Sequence, residues 1–160
     1  MKRLGVIGGT GLINMTVGEE MEQSGLRLIR RDEVTVETPW GDVPLTCMTL
    51  TTGNEEKELF FLQRHHNGEH ASKPPHQIEH RANMRALFDA GCEAVMAVCS
   101  VGAIPSDFPP GKVGLAEQYI DFTGVATTFH DDSAVFTSVS YTHLRAHETP
   151  EHLVCRLLLE

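Results

Sequence analysis

The stretch Phe61–Ala90 reads FLQRHHNGEHASKPPHQIEHRANMRALFDA and contains five histidines and a proline pair. It begins within Glu58–Leu62, an apolar run of strand length that ends shortly before Arg64, His65 and His66. Open α/β folds bind their ligands at the rim of the sheet, and a strand with this ending brings cations to that rim. The stretch therefore predicts an anion-binding site at a sheet edge.

A helix is predicted over 76–90, because apolar residues recur there at near-helical spacing, at Ile78, Ala82, Leu87 and Phe88. Pro75 suits the first turn of such a helix, and Gly91 suits its C-terminal end. Asn83 falls in the middle of the helix, where its propensity is poor. We therefore expect the Asn83 side chain to bond a neighbouring loop.

The histidines of this stretch allow three interpretations. Two pairs lie four residues apart, as metal ligands on a helix do: His66 with His70, and His76 with His80. Gly68 and Pro74-Pro75 interrupt a continuous helix, and neither an HExxH order nor a nearby cysteine supports a metal, so we expect none. The second interpretation is a solvated polar loop. The third is an oxyanion site, in which the Arg64 guanidinium and the His65 imidazole bind phosphate.

Composition limits the class of protein. The 160 residues suffice for one domain with a sizeable core, and an apolar content of 41% with a charged content of 22% is typical of soluble globular proteins. The formal net charge of −9 argues against nucleic acid or an acidic membrane as the partner, so the cations around Arg64 stand out. The cysteines, Cys47, Cys92, Cys99 and Cys155, form no CxxC, and no long apolar run or signal segment occurs. We expect a cytoplasmic protein with reduced thiols.

Near the N-terminus, a buried-strand pattern at Arg3–Gly8 leads directly into Gly8-Gly9-Thr10-Gly11. Glycines let the backbone turn sharply and bring bare N–H groups close to a ligand, and Thr10 adds a hydroxyl. The loop is a poor dinucleotide fingerprint, because Asn14 stands at the third glycine position. A structural turn and a phosphate loop both stay open, and Thr10 favours phosphate.

Further strands are predicted along the chain: short runs at Leu26–Arg30 and Glu33–Thr38, a hairpin of Val43–Thr51 with Glu58–Leu62, an apolar strand at Ala94–Cys99, and a strand region at Lys112–Phe122. The strand at Ala94–Cys99 ends in small residues from Ser100 that can expose backbone donors. We expect Trp40, in the turn before the hairpin, to pack rather than to bind a ligand. This order of elements favours an α/β domain with a mixed β-sheet flanked by helices.

Three separated pieces together resemble the purine nucleoside phosphorylase and methylthioadenosine phosphorylase family: VIGGTGL, QRH followed by PPHQIEHRANMRAL, and VCSVGAI followed by PPGKVGLAEQYIDFT. The similarity covers residues 3–130. It implies a truncated α/β fold on a mixed sheet and, for the intact protein, a homo-oligomer, commonly a trimer. It also implies cleavage of a purine nucleoside or 5′-methylthio-purine nucleoside by inorganic phosphate, giving free purine and (5-methylthio)ribose 1-phosphate in purine salvage, without a cofactor.

The resemblance also implies phosphate-binding residues. The family's phosphate contacts fall on Thr10, on Arg64 and His65, and on Cys99-Ser100. Relatives usually carry Thr-Ala or Asn-Ala at the last element, so the backbone N–H of Ser100 is what carries over. Catalytic residues are not assigned, because the family's purine-binding carboxylate and ribose contacts lie in a C-terminal half that this chain lacks.

The segment Val139–Glu160 does not continue the family pattern and resembles a translated read-through of the adapter used in transposon-based sequencing libraries. We expect residues 1–138 to be the N-terminal part of a phosphorylase domain and 139–160 to be a non-native tail. The alternative is a genuine amphipathic helix. On the first interpretation the chain is inactive and loosely packed, with Val95 and Val98 partly uncovered.

Two other function classes stay open at this point. A non-catalytic anion- or nucleotide-binding module would use the same glycine loop and the same Arg64-His65 pair to hold a phosphorylated ligand. A Rossmann oxidoreductase is disfavoured by Asn14 and by the lack of a clear acidic residue after a second strand.

Overall fold

The computed structural model describes residues 1–9, 12, 25–53, 55–67, 71–104, 106–116 and 129. The regular elements are the strands β1 (Arg3–Gly8), β2 (Leu26–Val36), β3 (Val43–Thr52), β4 (Glu55–Gln63), β5 (His66–Asn67) and β6 (Ala71–Ser72), the helix α1 (His80–Asp89) and the strand β7 (Ala94–Ala97). The segment 139–160 lies outside the described residues. Within the described part of the chain, no helix is long and apolar enough to span a membrane.

Five strands form one mixed sheet in the order β2-β3-β4-β1-β7. β1 runs parallel to both β4 and β7, whereas β3 runs antiparallel to both β2 and β4. The predicted hairpin is confirmed as β3 and β4, with Thr46 opposite Phe61 and Gly53 in the turn at a φ of 63° that favours glycine. With α1 against the sheet, the predicted α/β class is confirmed.

The strand β2 is one continuous element rather than the two predicted runs. Its register with β3 shifts between Leu28 and Arg30, so Ile29 is left over as a bulge and is 54% exposed. Pairing then continues through Arg31 and Asp32. The prediction of two separate runs is wrong because backbone hydrogen bonds to β3 hold polar residues in the strand as firmly as apolar ones.

The helix α1 begins at His80, four residues later than the sequence predicts. Pro75–Gln77 forms a separate 3-10 turn, and Ile78 and Glu79 are extended. The Glu79 side chain accepts from the backbone N–H of Arg81 at 3.2 Å and so caps the helix. Propensity and spacing do not reveal this break, because an N-cap is defined by backbone geometry.

The end of α1 agrees with the prediction for Gly91, which has a φ of 75°. The N–H of Gly91 donates to Phe88 at 2.8 Å, and the N–H of Cys92 donates to Leu87 at 3.1 Å. These two bonds make a Schellman motif, which satisfies the last helix carbonyls before the chain turns into β7.

One face of α1 packs on the sheet. Its buried residues are Ala82, Asn83, Ala86 and Leu87. Ala82, Ala86 and Leu87 meet Phe60, Leu62 and Val95 in a single hydrophobic core. Phe88 is 47% exposed on the other side of the helix, where the Arg85 guanidinium lies 5.7 Å from its ring centroid.

Trp40 packs against the edge of this core, as predicted, and is partly buried. The guanidinium carbon of Arg81 lies 5.5 Å from its ring centroid, so α1 and the turn before β3 also meet through a cation–π contact.

The opposite face of the sheet carries a second set of apolar side chains. Val6, Phe61 and Met96 line a cavity of about 150 Å³ there. The expectation that Val95 and Val98 would be partly uncovered is confirmed for Val98, which is half-buried, and is wrong for Val95, which is 7% exposed. Met96, the neighbour of Val95, is 49% exposed. Successive strand residues point to opposite faces, so Val95 is covered by α1 and Met96 is not.

The described residues from Ser100 onward belong to a second compact unit, distinct from the unit that contains Met1–Cys99. Its described part has turns and irregular backbone, and the Lys112 ammonium donates to the Asp107 carbonyl at 2.6 Å. The predicted strand at Lys112–Phe122 is wrong over 112–116, which are irregular and exposed. Its remainder lies outside the described residues.

The buried thiol of Cys92 should make folding sensitive to alkaline pH. The side chain is 6% exposed, and burial raises its pKa from 9.0 to about 11. The unfolded chain therefore loses this proton near pH 9, while the folded chain keeps it. Stability falls as pH rises through that window, by about 1.4 kcal/mol per pH unit at most.

Urea unfolding at about pH 8 and about pH 10 measures this loss. Cys92→Ala should lose about 1 kcal/mol less between the two pH values than the unsubstituted chain. Cys99→Ala is the matched control, because that thiol is exposed. Equal alkaline losses in all three proteins would contradict the assignment to Cys92.

Candidate functional site

The carboxyl ends of three parallel strands, β4, β1 and β7, meet at one edge of the sheet. The Arg64 N–H donates to the Gly8 carbonyl at 3.0 Å, and the Val98 N–H donates to the Ile7 carbonyl at 2.8 Å. These bonds continue both ladders just past the strand ends. The start of the glycine loop, Arg64 and Cys99 therefore leave the sheet at the same edge, as the sequence predicts for Arg64.

The Arg64 side chain lies against Gly9. A Cβ atom on Gly9 would stand 3.1 Å from Arg64 Nη2 and 3.5 Å from its Cζ. The missing side chain at Gly9 thus leaves room for the guanidinium to approach the backbone. A side chain at Gly9 would crowd the end of the guanidinium group.

The charge of Arg64 has no counter-ion among the described residues. Its Nε donates to His65 Nε2 at 3.2 Å, and no described carboxylate lies within ion-pair distance. Most other arginines of the described ranges do pair with carboxylates, namely Arg3, Arg30, Arg31, Arg81 and Arg85, whereas Arg27 has no such pair and is exposed. A partly buried cation without a counter-ion has an unfavourable desolvation free energy, and an anionic ligand would offset that cost.

The ring of His65 orients Arg64. Because Nε2 accepts from Arg64, it carries no proton, and Nδ1 is the nitrogen that donates to the Lys73 carbonyl at 2.9 Å. The Lys73 N–H donates in turn to the His65 carbonyl at 2.8 Å. Sequence reasoning missed Lys73, since nothing in its spacing signals a contact with His65. In this arrangement the His65 Nδ1–H is already bonded to the Lys73 carbonyl. The contact between His65 and phosphate stays a prediction.

The next residue, His66, is held by the helix. Its Nε2 donates to Asn83 Oδ1 at 2.7 Å, and Asn83 is 3% exposed. This bond confirms the expectation that Asn83 binds a neighbouring loop. The loop contact was expected from the poor propensity of asparagine in a helix interior, whereas its partner His66 is decided by the tertiary structure.

The structure says less about the other predicted phosphate-binding residues, Cys99, Ser100 and Thr10. Cys99 is exposed and follows Val98 at the sheet edge, and Ser100 is exposed as the first residue of the second unit. Thr10 lies outside the described residues. Arg64, His65 and Cys99 are thus brought to one edge. The phosphate-binding roles of these three residues, like those of Thr10 and Ser100, stay predictions.

The histidine pairs do not share a helix in the described residues. His76 lies in the 3-10 turn, His80 begins α1, and His70 is outside the described ranges. The predicted interruption at Pro74-Pro75 is confirmed. Within the part that the structure describes, no three His, Cys, Asp or Glu side chains are grouped to hold a metal.

Comparison with known proteins identifies the family of this chain. The family model described as the phosphorylase superfamily matches residues 3–157. The chain belongs to the phosphorylase superfamily. The resemblance found in the three sequence motifs is thereby confirmed.

Two relatives of this chain show how far the sequence similarity extends. The 6-oxopurine nucleoside phosphorylase of Pyrococcus furiosus is 35% identical over 132 residues, covering 82% of this chain and 43% of the relative. The S-methyl-5′-thioadenosine phosphorylase of Pyrococcus horikoshii is 33% identical over 125 residues, covering 77% and 42%. The chain thus spans less than half the length of either relative.

Among solved structures, the methylthioadenosine phosphorylase of Schistosoma mansoni in complex with adenine is similar to this superfamily member. It is 27% identical with a TM-score of 0.44, over 68% of this chain and 32% of that one.

Proposed function

We propose that this chain supplies the phosphate-binding side of a purine nucleoside phosphorylase that acts on 6-oxopurine nucleosides or on S-methyl-5′-thioadenosine. Membership of the superfamily and the two named relatives support this class. The observation that carries the proposal is Arg64, which lies partly buried against Gly9 and has no described carboxylate partner. Because the chain spans less than half of its relatives, the purine and ribose contacts are assigned to sequence that those relatives have in addition.

The proposed reaction needs little from the protein beyond positioning and charge. A phosphate oxygen attacks C1′ of the nucleoside, the N-glycosidic bond breaks, and its electron pair leaves with the purine. The products are free purine and (5-methylthio)ribose 1-phosphate. Bound phosphate acts both as nucleophile and as counter-charge to the oxocarbenium-like transition state. No covalent intermediate with the protein is required.

Arg64 suits this task because its Nε is occupied by His65. The two terminal nitrogens then form the fork that can hold two phosphate oxygens. From the family resemblance alone, Thr10, His65, Cys99 and the backbone of Ser100 are proposed as further phosphate contacts. The same resemblance underlies the proposal of a homotrimer that uses phosphate as co-substrate without a cofactor. The proposals of a cytoplasmic location and of no nucleic acid, membrane or metal rest on the cysteine pattern, the net charge and the interrupted histidine spacing.

The decisive experiment is a phosphorolysis assay on an extended chain, in which residues 3–130 are joined to the C-terminal remainder of the Pyrococcus furiosus relative. Inosine and methylthioadenosine are supplied with and without phosphate, and purine and sugar phosphate are measured. We expect purine release that depends on phosphate, with one substrate preferred. Release without phosphate would move the protein to the hydrolases and refute the proposal.

A second candidate, the non-catalytic phosphate-binding module, makes a different prediction in the same assay. Its support is again Arg64, since a cation placed in this way binds phosphate whether or not chemistry follows. Phosphate binding without any purine release from either nucleoside would favour the module.

A further inference from the structure

We propose that Asn83 and His66 are a positioning pair that fixes the Arg64-His65 turn from the helix α1. This inference rests on the proposed function only in naming phosphate as the ligand of the positioned group. Neither Asn83 nor His66 is proposed to touch phosphate.

The first step is the rigidity of Asn83. Its backbone N–H donates to the Glu79 carbonyl at 3.2 Å at the start of α1, and Asn83 is 3% exposed on the same buried face of the helix as Ala82 and Ala86, which are 3% and 0% exposed. A buried amide oxygen must be satisfied, and His66 Nε2 at 2.7 Å satisfies it. The helix thus offers a fixed acceptor to the chain that leaves β4.

The second step is the continuity of contacts from His66 to Arg64. His66 pairs with Ser72 in the two-residue ladder of β5 and β6. The neighbouring His65 exchanges two bonds with Lys73, through its carbonyl at 2.8 Å and its ring at 2.9 Å. The same ring accepts from Arg64 Nε at 3.2 Å. Each bond restrains the next residue towards the sheet edge.

The third step is that the turn cannot hold this geometry unaided. An isolated two-stranded ladder is marginally stable in water, and β5 with β6 has only two residues in each strand. The bond from Asn83 joins this ladder to the core, where α1 is anchored. Without it, the His65 ring and the Arg64 fork lose their common orientation, and small errors in placing a reacting group are costly.

Single replacements test the pair in the 160-residue chain, with inorganic phosphate as the probe and NMR titration as the measurement. His66→Leu and Asn83→Leu each remove the bond and should raise the phosphate Kd about 3- to 10-fold. The double replacement should bind phosphate no more weakly than the weaker-binding of the two single replacements, because the two residues act through one bond. His66→Gln keeps an amide donor near the Nε2 position and should stay within about 2-fold of the unsubstituted chain.

Leu87→Ala is the control for a purely structural effect. It damages the same helix face and should lower stability without changing the phosphate Kd. If His66→Leu and Asn83→Leu change the Kd no more than Leu87→Ala does, or if their effects add, the positioning role is overturned.

A second readout separates this inference from the proposed function. In the absence of phosphate, the Arg64 Nε–H resonance should be sharp and slowly exchanging in the unsubstituted chain and in His66→Gln, and lost in His66→Leu. Its persistence in His66→Leu overturns the positioning pair. The other outcome is that the resonance is sharp in the unsubstituted chain and lost in His66→Leu, but the chain binds no phosphate. That outcome would refute the phosphate site and leave the positioning pair intact.

Discussion

Replacing Arg64 by alanine is expected to weaken phosphate binding about 10- to 150-fold, because a charge-assisted contact of this kind contributes about 1.5–3 kcal/mol. The side chain is partly buried, lies against Gly9 and has no described carboxylate to compensate its charge. Nucleoside binding should change far less, since Arg64 is proposed to contact only the anion. In the extended chain the loss should therefore appear in the KM for phosphate.

The geometry of the guanidinium gives a graded test of the same site. Arg64→Lys keeps the charge but lacks the planar fork and the Nε donor to His65, so it should recover only part of the affinity. Arg27→Ala is the matched control: it removes one cation from the exposed part of β2 at the far side of the sheet.

Phosphate titration of the four proteins, at one fixed ionic strength, measures these differences. Arg27→Ala should differ from the unsubstituted chain by less than about 2-fold. An unchanged phosphate Kd in Arg64→Ala would remove the observation on which the proposed function depends, and the turn would then be a solvated loop.

The largest effect on stability is expected from Leu87→Ala, at about 2–5 kcal/mol. Leu87 is 0% exposed and belongs to the buried face of α1. Its Cδ2 lies 3.2 Å from the position that a Cβ on Gly5 would occupy, so helix and sheet are in direct contact there. Removing three carbons leaves a cavity that backbone on both sides cannot fill.

Phe88→Ala is the control on the same helix. Phe88 is the larger residue, but it is 47% exposed, so its replacement should cost under about 1.5 kcal/mol. Urea unfolding followed by circular dichroism measures both values. If Phe88→Ala costs as much as Leu87→Ala, the face of α1 that meets the sheet is misassigned.

The features of the site that could be predicted are those encoded by neighbouring residues in the sequence. The run before Arg64 and the glycines after Arg3–Gly8 are local patterns, and the rule that parallel strands expose their carboxyl ends together places both at one edge. The contact between His65 and Lys73 is not local in that sense. It depends on the ladder of β5 and β6, whose two-residue strands carry no periodicity to detect.

The helix shows the same division. Gly91 signals the end of α1 through its own backbone freedom, which is a property of the residue. The start at His80 depends on Ile78 and Glu79 being extended, and that is decided by the cap contact with Arg81. Phe88 has the apolar character of a core residue, yet the start and phase of the helix leave it outside.

The sequence by itself determined the mixed α/β sheet, the superfamily and the placement of Arg64 at a strand end, because periodicity, turn residues and motif order are written along the chain. Tertiary structure alone decided that Gly9 leaves room for the guanidinium, that Lys73 and Asn83 hold the histidines, and that Val95 rather than Met96 is covered. Those outcomes depend on which groups packing brings within bonding distance across long separations in sequence. Distance in space, unlike residue type, is set only when the sheet and the helix come together.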